Sequence, residues 1–410
     1  MKISTGPKKI GPEPIKEALE RGVEEIIDKK SLLKKLKSGK KLRIKLGIDP
    51  TGPKLHLGRA IQLWKLRDFQ DLGHQIVLII GDFTGQIGDA SDKQAMRKPL
   101  TEKEIKENLK TYRKQIGKIL DLKKVEFHRN SEWLNKLKLK DFLSLAMNFT
   151  AQQMIQRRNF KERWEEGKPI GLHELTYPLL QGYDSVMIKA DVEIGGFDQL
   201  FNLKVGREMQ KIFGQPPQDI MTSQMLYGLD GRKMSTSWGN VINITDTPQN
   251  MYGKIMSMKD ELIEDYLKLT TRLSLKEIEK IKRDLKKGKL NPKEAKAILA
   301  KEIIKMYHSE KAAETAEKEF NRVFGEKKVP SKIPYFKTSK KSLPILDLLV
   351  KTKLTPSKSE AKRLILQRGV SIKIKDKRLK IKDWQEDIKL KNEMVLQVGK
   401  RRFIKIKTIK

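Results

Sequence analysis

The chain has 410 residues, which at about 150 residues per domain predicts two or three domains. Its 88 Lys and Arg against 52 Asp and Glu leave a net charge of +36, more than a purely metabolic enzyme needs and suited to a polyanionic partner. There is no cysteine, which excludes disulfides, thiolate metal sites, iron–sulfur clusters and cysteine nucleophiles. No apolar run nears the roughly 18 residues of a membrane span, and the charged, proline-punctuated N-terminus lacks the apolar stretch of a secretory signal. The expectation is a cytoplasmic protein that makes no membrane contact.

In chain order, residues 15–39 read as an amphipathic basic helix, followed by a first strand at 43–49 and a helix at 58–72. Gln75–Gly81 is short, apolar and β-branched, as a buried strand should be. A polar loop at 85–100 precedes Thr101, whose Thr-Glu-Lys-Glu resembles a capping box. A third strand is expected at 123–130, a helical stretch rich in Lys, Arg and Gln at 131–168, and a strand at 186–193 leading into Gly195-Gly196. Strands alternating with helices predict an α/β fold with a parallel sheet. From 248 to 327 the spacing is helical throughout; residues 328–342, with two prolines and many lysines, read as a linker. The tail, 343–410, carries 20 Lys and Arg against 7 Asp and Glu, and its pattern is two helices followed by short alternating strands.

Two clusters carry chemistry. Asp49 to Arg59 joins the first strand to the next helix, where helix N–H groups and the dipole favour anions. Gly58 allows close backbone approach, and Thr51, His56 and Arg59 supply donors suited to phosphate and ribose. Leu229 to Asn240 is a glycine-flanked loop with Arg, Lys and three hydroxyls, a phosphate clamp whose lysine can follow charge on a leaving group. Each cluster alone also reads as a solvated loop.

Together, His56-Leu-Gly-Arg59 and Lys233-Met-Ser-Thr-Ser237 resemble the two signature motifs of class I aminoacyl-tRNA synthetases. Between them, Lys45–Thr51, Gly81–Asp89, Tyr177–Asp184 and Gly195–Gln199 are similar in order and spacing to the bacterial tyrosyl-tRNA synthetases, a likeness that covers nearly the whole chain. The resemblance implies a Rossmann-like parallel-sheet catalytic domain with a helical insertion (1–241), a helical anticodon-region domain (242–327), the linker (328–342) and a small α+β basic RNA-binding domain (343–410). It also implies a homodimer that joins tyrosine to its tRNA through tyrosyl-adenylate, with ATP as substrate and Mg²⁺ held on the ATP phosphates rather than by the protein.

By the same resemblance Asp184 accepts the phenol O–H, with Asp89, Thr84, Tyr177, Gln181 and Gln199 completing the tyrosine site. A buried acceptor rejects phenylalanine because the carboxylate would lose its partner, a discrimination of roughly 10⁴–10⁵. ATP would meet Gly47, Asp49, Thr51, His56, Gly58, Arg59, Gly196, Asp198, Lys233, Met234, Ser235 and Ser237. Thr51, His56, Arg59, Lys93, Arg97, Lys233 and Ser235 would supply position and charge stabilisation rather than proton transfer. In the tail, Leu354–Val370 looks like an RNA-binding helix pair shown through Lys358, Lys362, Arg363 and Arg368, with Ser357 or Ser359 as cap.

Three positions depart from the family pattern. Arg59 stands where the first motif usually ends in histidine, Thr236 replaces the second lysine of the other motif, and Lys45 stands where one branch has a tyrosine contacting the phenol. Two further readings therefore stay open: tryptophan activation on the same fold, and an RNA-binding relative without catalysis. His74, His128, His173 and His308 show no metal-ligand spacing, and Asn130 and Trp133 read as packing or surface residues.

Overall fold

The computed structural model describes residues 12–89, 100–234, 238–325, 333–374, 377–399 and 402–409. Its centre is a six-stranded sheet built from β1 (Val23–Ile27), β2 (Arg43–Ile48), β3 (Gln75–Ile80), β4 (Val125–Arg129), β5 (Val192–Gly196) and β6 (Asp219–Ser223). The strand order is β1-β6-β5-β2-β3-β4, with every pair parallel except β1 against β6. The interior strand β3 is a nearly continuous apolar run, and β2 buries Ile44, Lys45 and Leu46 in succession, because helices cover both faces of a parallel sheet. Chain order runs outward from β2 through β3 to β4, then returns to the other side of β2 with β5. The carboxyl ends of β2 and β5 therefore flank a topological switch point, where such sheets bind ligands.

Three helices carry the site: α1 (Leu57–Asp71), α2 (Leu172–Met187) and α3 (Leu200–Ile212). α2 and α3 cross closely because Gly182 faces Gly206, and a Cβ added at Gly182 would lie 3.3 Å from the Gly206 backbone. Pro178 sits within α2 without ending it.

Several sequence expectations need correction. Residues 15–39 are not one helix: Pro12–Glu20 and Lys29–Lys37 are helical, and between them β1 completes the edge of the sheet beside β6. Local amphipathicity could not reveal this, since β1 exists through pairing with residues about 200 positions away. The strand expected at 186–193 lies at Val192–Gly196, with α2 running to Met187. β6, a fully buried Asp-Ile-Met-Thr-Ser run, went unrecognised because its polar ends mask it. The capping box at Thr101 is formed, with Glu104 as its reciprocal partner.

The chain divides by its contacts into Met1–Ala313 and Glu314–Lys410. The helices Pro248–Met256, Ile263–Thr270, Leu275–Lys286 and Pro292–Tyr307 lie in the first unit, with the sheet. Polar links fasten them: Trp64 Nε1 donates to Tyr307 Oη at 2.9 Å, and Tyr266 Oη donates to the Tyr227 carbonyl at 2.8 Å.

The second unit has its own core around Ile345, Leu348, Leu349, Ile365, Leu396 and Ile406. Its five-stranded sheet runs Lys377–Lys380, Val370–Ile374, Val395–Val398, Arg402–Thr408 and Tyr335–Thr338. Tyr335–Thr338 lies in the stretch expected as linker, yet it pairs in parallel with Arg402–Thr408, so the end of that stretch belongs to the domain it was expected to lead into.

Candidate active site

A cleft of about 310 Å³ opens at the switch point. It is lined by Asp89, Thr84, Tyr177, Gln181, Asp184 and Gln199 of the expected tyrosine set. Gly47, Asp49, Thr51, His56, Gly58, Arg59, Gly196, Asp198, Lys233 and Met234 of the expected nucleotide set line it too. Lys93, Arg97, Ser235 and Ser237 lie outside the described residues.

Helical spacing brings Tyr177, Gln181 and Asp184 to one face of α2, four and three residues apart. Asp184, 3% exposed, forms the deep end. Its Oδ1 accepts from Trp133 Nε1 at 2.8 Å and its Oδ2 from Asn130 Nδ2 at 3.3 Å. Burial pushes its carboxyl up to about 7, against the opposing pull of Lys45, Trp133 and Asn130. Asn130, which lines the cleft, and Trp133, a buried core residue as its packing reading expects, therefore also hold Asp184. A clue lay in their position: they follow β4, at the carboxyl edge where loops gather.

Hydrogen bonds run from there toward the mouth. Asn130 Nδ2 also donates to Thr84 Oγ1 at 2.9 Å, Thr84 Oγ1 donates to Asp49 Oδ1 at 2.8 Å, and Tyr177 Oη donates to Asp49 Oδ2 at 3.0 Å. Gly81 is required beneath this relay, since a Cβ there would lie 1.9 Å from Asp49 Oδ1. Burial, and then the Asp49 carboxylate, hold the Tyr177 phenol well above its ordinary range, so it stays a neutral donor. Asp89 is bracketed by Gln199 Nε2 at 2.5 Å and by Arg157 Nη2 at 2.6 Å; Arg157, itself buried, was not singled out in the sequence.

At the mouth, His56 occupies the N-cap of α1, so the helix N-terminus faces the cleft. Burial, reinforced by Arg59, lowers the imidazole to about 4, leaving it neutral at pH 7 and able to donate without carrying charge. Arg59 donates to the Thr51 hydroxyl and to the Asp49 carbonyl, the latter at 3.1 Å, bracing the loop between β2 and α1. A Cβ at Gly47 would meet open space, leaving the β2 backbone accessible to a ligand, whereas one at Gly58 would crowd His56 and Met234 at 3.2 Å.

Lys233 enters from a tight turn in which Gly231 takes φ +82°. That turn is pinned by Asp230, which accepts from Asn240 Nδ2 at 2.9 Å and Arg232 Nη2 at 2.6 Å; these two partners hold its carboxyl well below the usual range.

In the second unit Lys358, Lys362, Arg363 and Arg368 are all exposed. Ser357 caps the Lys358–Leu366 helix, and Arg368 takes φ 53° where that helix ends, with Gly369 N–H returning to the Leu364 carbonyl. Lys358 pairs with Asp347 at 2.6 Å, Arg363 with Glu360 at 2.6 Å, and Lys362 sits 3.8 Å from the centre of the Trp384 ring. Among the described residues no group of three His, Cys, Asp or Glu could hold a metal ion, and no helix is long and apolar enough to cross a membrane.

A family model described as tRNA synthetases class I (W and Y) matches residues 37–325. The tyrosine–tRNA ligase of Carboxydothermus hydrogenoformans is 47% identical over 95% of this chain and 97% of its own. That of Thermotoga maritima is 46% identical over 96% of this chain and 98% of its own. The crystal structure of the Archaeoglobus fulgidus tyrosyl-tRNA synthetase complexed with L-tyrosine superposes with a TM-score of 0.61 at 25% identity, covering 74% of this chain and 98% of that one. With the cleft at the switch point, the buried carboxylate at its deep end and His56, Arg59 and Lys233 lining it, the chain belongs to the class I aminoacyl-tRNA synthetases, in the tyrosine–tRNA ligase family.

Proposed function

We infer that the protein activates tyrosine with ATP and transfers it to the 3′ end of a tRNA. The observation that carries this reading is Asp184: a carboxylate at the deep end of the cleft, fixed by two neutral donors, is the acceptor a phenol needs. Such a group is costly to bury and gains nothing from an apolar side chain.

In this reading the tyrosine ring lies along α2, its hydroxyl donating to Asp184 and its ammonium among Asp89, Tyr177 and Gln181, with Gln199 near its carboxylate. ATP lies across the β2–α1 loop, with Asp198 on the ribose and Thr51, His56, Arg59 and Lys233 around the phosphates. A tyrosine carboxylate oxygen bonds to the α-phosphorus as the bond to the bridging oxygen breaks, releasing pyrophosphate. A ribose hydroxyl of the tRNA then attacks the adenylate carbonyl, and AMP leaves. The residues contribute alignment and charge stabilisation; neutral His56 and cationic Lys233 suit a step that needs no protein base. Lys93, Arg97, Ser235 and Ser237 are assigned to the phosphates by resemblance.

We propose that Mg²⁺ is carried on the ATP phosphates, where it would neutralise the leaving group. We propose the cytoplasm as its location and a homodimer as its state. The homodimer is supported by exposed Leu139, Leu143 and Met147, which recur every four residues along one helical stretch. Lys358, Lys362, Arg363 and Arg368 are proposed to meet tRNA.

The test is ATP–pyrophosphate exchange with single amino acids. Exchange with tyrosine, and none above background with tryptophan or phenylalanine, is expected. Exchange with tryptophan in place of tyrosine, or tRNA binding without exchange, would replace the assignment with one of the two alternatives raised by the sequence.

A further inference from the structure

Behind the cleft, outside its lining, lies an ion pair that the mechanism above does not use. Lys45 of β2 and Glu193 of β5 are register partners on adjacent strands, 0% and 1% exposed, with Nζ 2.8 Å from Oε1. The ammonium also donates to the Gln181 carbonyl at 3.0 Å and Ser185 Oγ at 2.7 Å. Glu193 in turn accepts from Gln181 Nε2 at 3.2 Å, Ser185 Oγ at 3.0 Å and Gln218 Nε2 at 2.5 Å. Every polar atom of the pair is thus occupied. A buried pair of this kind is often no more stabilising than apolar side chains of similar size, so stability alone gives it no clear purpose.

Its contacts suggest another purpose. Both partners grip α2 at Gln181 and at Ser185, the residue after Asp184. Because Gln181 Nε2 donates to Glu193 while Asn202 Nδ2 donates to Gln181 Oε1 at 2.9 Å, the amide orientation is fixed, and its oxygen is the atom left to accept from a substrate ammonium. We propose that the Lys45–Glu193 pair is a positioning device of the amino-acid pocket, which orients Gln181 for the substrate ammonium and supplies the countercharge to Asp184 at the phenol end. This rests on the reading of that pocket as the tyrosine site.

The charged and titratable groups acting on Asp184 are Lys45, Glu193 and the Tyr177 phenol; Trp133 and Asn130 against it are neutral donors. Lys45 draws the Asp184 carboxyl down and Glu193 pushes it up, Lys45 having the larger effect. Charge at Lys45 therefore favours the ionised acceptor that a phenolic O–H requires.

The experiment uses the full chain in ATP–pyrophosphate exchange between about pH 6 and 9, comparing Lys45→Met/Glu193→Gln, which removes both charges of the pair together, with Glu193→Gln alone. For the double variant we expect KM for tyrosine to rise about tenfold at neutral pH, with KM for ATP and kcat at saturating tyrosine held within about twofold. The acid limb of kcat/KM for tyrosine should move up by about one pH unit. For Glu193→Gln, which keeps the lysine charge, the acid limb should move the opposite way, a reversal that general damage to packing would not give.

Unchanged tyrosine KM and acid limb in both variants would overturn the proposal, as would an equal rise in both KM values or acid limbs displaced in the same direction. Absence of tyrosine exchange in the unmodified protein would overturn the reading of the site itself, and the proposal with it.

Discussion

At the scale of single residues, the site is governed by burial set against hydrogen bonding. Asp184 illustrates the cost. Its folded carboxyl titrates near 7, above its ordinary 3.8, so its contribution to stability is complete below about pH 4 and is lost as pH rises through 7. Urea unfolding followed across that window should show a slope that Asp184→Asn removes, while tyrosine-dependent exchange in the variant falls steeply. His56 behaves oppositely. Because it is already neutral above about pH 4, pH–rate profiles should carry no histidine limb near 6.5 from this residue, and His56→Asn should lower the rate without changing the profile's shape. Lys233→Ala should reduce the adenylation rate by roughly 10²–10³ while tyrosine affinity stays close to its original value, because its charge acts where charge develops. Rapid-quench adenylation beside equilibrium tyrosine binding separates the two.

At the scale of elements, the α2–α3 crossing determines whether Tyr177, Gln181 and Asp184 face the cleft together. Gly182 lets α2 approach the Gly206 backbone, and a Cβ added there would press on that backbone at 3.3 Å. Gly182→Val should cost about 1–3 kcal/mol in urea unfolding and raise tyrosine KM, since the helix carrying the site must shift. The capping boxes at Thr101, Ser274 and Asn291 are local features that their sequences already announce. β1 is the contrast: Val23–Ile27 lies in a stretch with helical spacing and becomes a strand because β6 presents an edge to pair with.

At the scale of the whole molecule, the division of the chain dictates where it can be cut. A truncation before residue 343 would strip Tyr335–Thr338 of its partner strand, whereas one within 326–332 removes the second sheet complete. A chain ending there should form adenylate within about twofold of the full protein yet charge tRNA at least about tenfold more slowly. The isolated contribution of the basic tail to RNA binding should fall steeply with salt, as counterion release requires.

Much of the fold and site was legible in sequence for identifiable reasons. The buried strand β3 declares itself as a short apolar run, and the two signature segments by glycine, histidine and lysine at fixed places beside predicted helix and loop ends. Tyr177, Gln181 and Asp184 are legible through the family resemblance, and the helix that carries them sets them on one face. Tertiary structure decided the rest: that Asn130 and Trp133 hold Asp184, that Arg157 braces Asp89, that Arg59 is engaged with its own loop, and that Lys45 finds Glu193 on the neighbouring strand. Hydrophobic period and turn chemistry are properties of neighbours along the chain and can be read from it. A buried polar group is explained by its partners, and those are chosen by which strands and helices meet.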